Sequence, residues 1–222
     1  MKGIWQKMGD KKVQGRVYPF VIFGFIILMY VLIIVILYYL NPLMWDKPWV
    51  KIYSAVFVVV YNVLVLLTIY AYLKTMWTNP GKPPAHWGFY LKRSKDRQRQ
   101  SCQYCNNYKP ERSSHCSTCN QCILVRDHHC PWLNTCIGFK NKKIFFLLIT
   151  YAYLTDIVAL LGHVLPMTLL ILNVVKGRNV LSHSWKIVSG VVSLVFSLMF
   201  FRAARTFWNM HHRLIRQNRT TL

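Results

Sequence analysis

The chain has 222 residues, 28 Lys and Arg against 6 Asp and Glu, and 54% apolar residues. A formal charge of +22 ordinarily points to a polyanionic partner, and a mean hydropathy above zero points to a bilayer; both hold when charge and apolarity occupy different segments. That balance fits an ordinary soluble enzyme, a disordered tail and a disulfide-stapled secreted domain poorly; the seven cysteines, moreover, cannot all be paired, and all fall between Cys102 and Cys136.

Residues 1–16 carry Lys2, Lys7, Lys11, Lys12 and Arg16. Val17 to Leu40 is then 24 residues without a charge, and Ile52 to Leu73 is 22 more. About 20 apolar residues cross the hydrocarbon core, so we expect transmembrane helices over 17–40 and 51–73, joined by a loop at 41–50. The first run exceeds the apolar core of a cleaved signal peptide, and no small-residue cleavage site follows it. Asn79-Pro80-Gly81 and Pro83-Pro84 predict a turn after the second span. Lys92 to Arg99 reads as a basic, solvated linker or a membrane-apposed segment. The third span is expected at 144–175, although Asp156, His163, Pro166 and Asn173 interrupt it. A loop at 176–184 precedes a fourth span at 185–207. Its charge-free stretch, Ile187 to Phe201, is only 15 residues. It relies on Lys186, Arg202 and Arg205 snorkelling to the interface.

Of the 28 basic residues, 23 fall in residues 1–16, in 74–143 and in the tail from Arg202. The excess of Lys and Arg on cytosolic segments places both termini, including 208–222, and the long loop in the cytosol. Asp156 and His163 lie seven residues apart, hence on one helical face. They read as interior polar contacts rather than catalysts, and a transporter reading has only these two groups to rest on. A nucleic-acid-binding reading lacks the clustered basic face it needs.

Residues 102–136 hold seven Cys and three His in 35 positions. So small a segment cannot fold on an apolar core alone. A reducing compartment disfavours disulfides. Cys102-x2-Cys105, Cys116-x2-Cys119 and Cys119-x2-Cys122 are chelating pairs, with His115, His128 and His129 as nitrogen donors, and together they favour zinc. Two structural sites of three Cys and one His would leave one Cys and one His over, the composition of a thiol nucleophile and its base. Cys130 stands out, because Asp127, His128 and His129 precede it. It can equally be another ligand or an inert thiol, and the spacing does not say which pair is spare.

The pattern Cys102-x2-Cys105-x3-Lys109-Pro110-x-Arg112-x2-His115-Cys116-x2-Cys119-x2-Cys122-x4-Asp127-His128-His129-Cys130-x5-Cys136-x4-Asn141-x3-Phe145 resembles the cysteine-rich domain of the DHHC protein S-acyltransferases (palmitoyltransferases), over 44 residues. The resemblance implies an α-helical multi-pass membrane protein, with four transmembrane helices and a small cytosolic zinc-binding domain, about 100–143, between helices 2 and 3. It implies one structural zinc on Cys102, Cys105, His115 and Cys122, and a second on Cys116, Cys119, His129 and Cys136. It also implies that Cys130 is the acylated nucleophile, His128 its base and Asp127 the residue orienting His128. The expected reaction moves a long-chain acyl group, typically palmitoyl, from acyl-CoA to protein cysteines. Trp132 and Thr155 are candidate contacts of the acyl chain, and Arg126 and Lys140, with Lys142 and Lys143, candidates for the CoA phosphates or anionic lipid. The partners implied are the bilayer, acyl-CoA and cytosol-facing proteins with membrane-proximal cysteines, with no nucleic acid. The competing reading is a catalytically silent, membrane-anchored zinc adaptor. Three departures stand out. Asn79 replaces the Asp of the family's Asp-Pro-Gly. Thr220-Thr221-Leu222 stops where the family's Thr-Thr-x-Glu would reach its Glu. The family's aromatic C-terminal motif is not present.

Overall fold

The structure, a computed structural model, describes residues 19–21, 24, 26–28, 30–31, 47–85, 87–88, 101–176 and 184–222. The residues described between 19 and 31 are helical. The rest of the span expected at 17–40, the linker at 92–99 and most of the loop at 176–184 lie outside the described residues.

Three long helices follow: α1 (Pro48–Trp77), α2 (Lys142–Val175) and α3 (Ser184–Arg216). Among the described residues these three are long and apolar enough to cross a membrane. Helix α1 starts on Pro48, whose missing N–H is harmless in a first turn. It stops before Pro80, which disfavours helical backbone at Asn79. Its surface explains its solvent. Phe57, Tyr61, Val65, Thr68, Tyr72 and Thr75 form a buried stripe, whereas Ile52, Val56, Val59, Val63 and Leu66 form an exposed one that is equally apolar. A helix apolar all round belongs in lipid.

The chain forms two compact units. One comprises residues 23–70 and 148–210. Its apolar centre is Phe57, Tyr61 and Val65 of α1 against Ala159 of α2. Phe57 stacks between Tyr53 and Tyr61, with centroids 6.4 and 5.7 Å away. Gly162 lies directly under the Phe57 ring, where a Cβ would overlap it. Polar rungs join the helices. Thr68 and Thr155 hydroxyls are 3.2 Å apart, and Trp208 donates to Thr150 at 3.1 Å. His163 Nδ1 lies 2.7 Å from the Ala159 carbonyl and its Nε2 3.0 Å from Ser193 Oγ. In hydrocarbon a polar group without a partner is costly, so such pairing is expected. Asp156 keeps Oδ2 buried without a hydrogen-bond partner among the described residues. His163 thus makes the interior contact expected of it, and Asp156 faces inward without one at that oxygen.

The other unit comprises residues 1–22, 71–147 and 211–222. Its centre is three antiparallel hairpins: β1 (Ser101–Cys102) with β2 (Asn107–Tyr108), β3 (Ser114–Cys116) with β4 (Gln121–Ile123), and β5 (His128–Cys130) with β6 (Thr135–Ile137). A 3-10 turn, Pro131–Leu133, tips the third hairpin. Asn106, Asn120 and Asn134 occupy left-handed backbone in the turns, a conformation that Asn tolerates better than most residues. The segment after α1 is braided into these hairpins. Leu124 N–H donates to the Gly81 carbonyl at 3.0 Å, Lys140 N–H to the Pro80 carbonyl at 3.1 Å, and Phe139 N–H to the Leu124 carbonyl at 2.9 Å. At Gly138 the backbones come so close that a Cβ would sit 2.8 Å from the Pro80 carbonyl oxygen. Asn79 Oδ1 accepts the Gly81 N–H at 2.9 Å. Asn at this position therefore retains the local acceptor that an Asp would offer, without its charge.

Candidate active site and metal centres

The hairpins explain how ten closely spaced donors sort into separate sites. Successive residues of a strand point to opposite faces, and cross-strand partners meet. In the second hairpin His115 pairs with Cys122, and in the third His129 pairs with Cys136. Each His–Cys pair meets a Cys-x2-Cys turn of the hairpin before it. The result is two groups, Cys102, Cys105, His115 and Cys122, and Cys116, Cys119, His129 and Cys136. Within each group the donor atoms lie within 4.8 Å of one another. Adjacent residues His115 and Cys116 belong to different groups because their side chains leave opposite faces of β3.

The donor sets fit zinc. Zn–S bonds of about 2.3 Å and Zn–N bonds of about 2.0 Å give a tetrahedron with edges of roughly 3.5–3.8 Å. Cys119 Sγ is 3.6 Å from Cys136 Sγ. His129 Nδ1 is 3.8, 3.3 and 3.7 Å from Cys116, Cys119 and Cys136. In the other group His115 Nδ1 is 3.3 Å from Cys105 Sγ. All seven thiols are free of disulfides. Two closed sets of three thiolates and one imidazole suit structural zinc, which would hold the hairpins together in place of an apolar core.

The same alternation isolates the remaining pair. His128 and Cys130 are two apart in β5, so both leave the face opposite His129. Cys130 is 5% exposed. Asp127, fully buried, lies with Oδ2 2.8 Å from His128 Nδ1. Its carboxylate also meets Lys142 Nζ at 3.2 Å and accepts from Thr221 N–H and Oγ1, both at 3.1 Å. Burial disfavours this carboxylate, but the hydrogen bond from His128, the Lys142 charge and Thr221 together hold its pKa well below the usual range. Burial likewise disfavours the His128 imidazolium, yet the bond to Asp127 and the Cys130 thiol beside it raise the pKa to about 9. Asp127 occupies Nδ1 and leaves Nε2 available to the cysteine. Phe145 and His211 wall the ring: their centroids lie 5.4 and 6.2 Å from that of His128.

The remaining candidates separate. Arg126 donates to Ser114 Oγ at 3.3 Å and to the His115 carbonyl at 2.8 Å. With Arg112, Ser113, Ser114, Asn218, Arg219, Thr220 and Leu222 it lines a cavity of about 440 Å³. Lys140 is exposed and outside that lining. Trp132 is half-exposed. Thr155 is bound to Thr68 in the helical unit. Lys142, Thr221, Tyr72 and His211 carry contacts around the pair that the spacing did not signal. The sequence reading gives Lys142 to CoA phosphates or anionic lipid and Thr220-Thr221 to a family fragment, and neither places them at Asp127.

Fold and site combine three helices long and apolar enough to cross a membrane, two groups of three Cys and one His that fit zinc, and an Asp-His pair beside a cysteine. The family model of the DHHC palmitoyltransferase matches residues 95–222. That is more than half of the chain, and the chain belongs to this family. No curated protein matched it.

Proposed function

We propose that this chain is a protein-cysteine S-acyltransferase working through a thioester on Cys130, with palmitoyl-CoA as the typical donor. The observation that carries the proposal is the pairing of His128 and Cys130 on one face of β5, with His128 Nδ1 held 2.8 Å from the buried Asp127. Thiolate is the reactive form of a cysteine, and His128 beside Cys130 is placed to take its proton. The Cys130 sulfur attacks the acyl-CoA carbonyl, the carbon–sulfur bond to CoA breaks, and His128 protonates the departing CoA sulfur. In the second half, His128 takes the proton from an acceptor thiol. That sulfur attacks the Cys130 thioester, and Cys130 returns as the thiolate. Asp127 keeps the His128 tautomer fixed throughout.

Arg112, Arg126 and Arg219 around the cavity are suited to the CoA phosphates, because guanidinium groups bind such oxygens in bidentate fashion. The acyl chain gains about 0.8 kcal/mol for each buried CH₂, which favours a donor half in lipid and half in water. The apolar runs support four spans, and the distribution of Lys and Arg supports a cytosolic place for both termini and the zinc module. Acceptors would then be cytosol-facing proteins with cysteines near the bilayer.

The test uses the purified, zinc-loaded chain in detergent. Incubation with palmitoyl-CoA should give a hydroxylamine-labile adduct on Cys130, located by mass spectrometry, and Cys130→Ala should give none. Labelling at another cysteine, or none in the wild type, would select the zinc-adaptor reading instead.

A further inference from the structure

We propose that Tyr72 is a positioning residue for the Cys130 nucleophile, holding the turn that follows it from the end of a membrane helix; this rests on the acyl-transfer reading above. Tyr72 is in the last turns of α1 and is 5% exposed. Its hydroxyl donates to the Trp132 carbonyl at 2.9 Å. A second carbonyl, that of Pro19, lies at 3.5 Å, so the bond to Trp132 is the closer one.

The constraints on the two reacting groups are unequal without it. His128 is fixed by Asp127. Cys130 is different. The metal ligands His129 and Cys136 point from the opposite face of the hairpin, and Cys130 precedes the 3-10 turn without a side-chain hydrogen bond capping it. That turn is closed from within by the Asn134 N–H to the Pro131 carbonyl at 3.2 Å. Nothing in that internal bond sets the angle of the turn against the rest of the unit. The phenol does, because it grips the middle residue of the turn from α1. Its bond is buried, and a buried carbonyl deprived of its donor tends to move until it finds another. Displacement near a reacting atom of even about 1 Å is worth up to about 100-fold in rate.

Tyr72→Phe removes one oxygen and keeps the ring. The full-length, zinc-loaded variant is compared with wild type by two readouts. The first is the rate of Cys130 alkylation by iodoacetamide, resolved by mass spectrometry. The second is acyl-enzyme formation as a function of palmitoyl-CoA concentration. We expect two zinc ions retained, alkylation and maximal acylation both slowed by about tenfold, and the half-saturating acyl-CoA concentration unchanged. Tyr72→His, which keeps a ring with a donor, should recover part of the loss. Wild-type rates in Tyr72→Phe would overturn the proposal. So would zinc loss in both variants, which would make the contact a general structural one. If wild type forms no acyl adduct while the alkylation contrast persists, the acyl-transfer reading fails and the positioning of Cys130 stands.

Discussion

Asp127 carries more of the site's electrostatics than any neighbour. Four donor groups from three separate parts of the chain converge on its carboxylate. The proton on His128 is therefore part of the folded state, which gives a pH prediction. The folded His128 pKa is about 9, above the ordinary value near 6.5. The stabilisation is complete below pH 6.5 and is lost as pH rises through 9. The melting temperature of the zinc-loaded protein should fall over that window, and His128→Asn should flatten the decline. An equal decline in the variant would place the titration elsewhere. At this scale the sequence was informative where chemistry is local. Ligand spacing pointed to zinc without saying which Cys and His are spare, and the family resemblance gave the two donor sets that the structure brings together. Tyr72 was silent, because nothing in a tyrosine at the end of an apolar run says that it will meet a carbonyl 60 positions on.

At the level of elements, long apolar runs marked helices α1 and α2 clearly, since lipid and protein contacts both select for apolar residues over the whole length. The hairpins were hidden for the opposite reason. Strands of two or three residues are too short to show a period of two, and metal ligands occupy the positions where an apolar alternation would appear. Gly162 shows what the helical unit demands of its sequence. Phe57 is held between two other rings and cannot easily retreat from a methyl group. Gly162→Ala should cost about 1–3 kcal/mol by overpacking, read as a lower melting temperature in detergent. Phe57→Leu in the same chain should relieve part of it. An unchanged melting temperature in the single variant would mean that the Phe57 ring is free to move.

For the whole molecule, metal and catalysis should be coupled. Removal of zinc by a strong chelator should abolish acylation of Cys130 and the protection of the six ligand thiols from alkylation, while the helical signal of the membrane segments persists. A zinc stoichiometry near two per chain is the matching measurement, and retained acylation after both ions are gone would contradict a scaffold role. The order of ligands along the chain has a further consequence. Each His–Cys pair closes on the turn of the hairpin before it, so the donor sets become complete from the N-terminal side. The first is whole once Cys122 has been made. Cys130 follows eight residues later, roughly one second at ordinary rates of synthesis. A nascent chain therefore holds all four donors of its first metal group before Cys130 exists. The cysteine proposed to carry the acyl group is made only after the first donor set is complete.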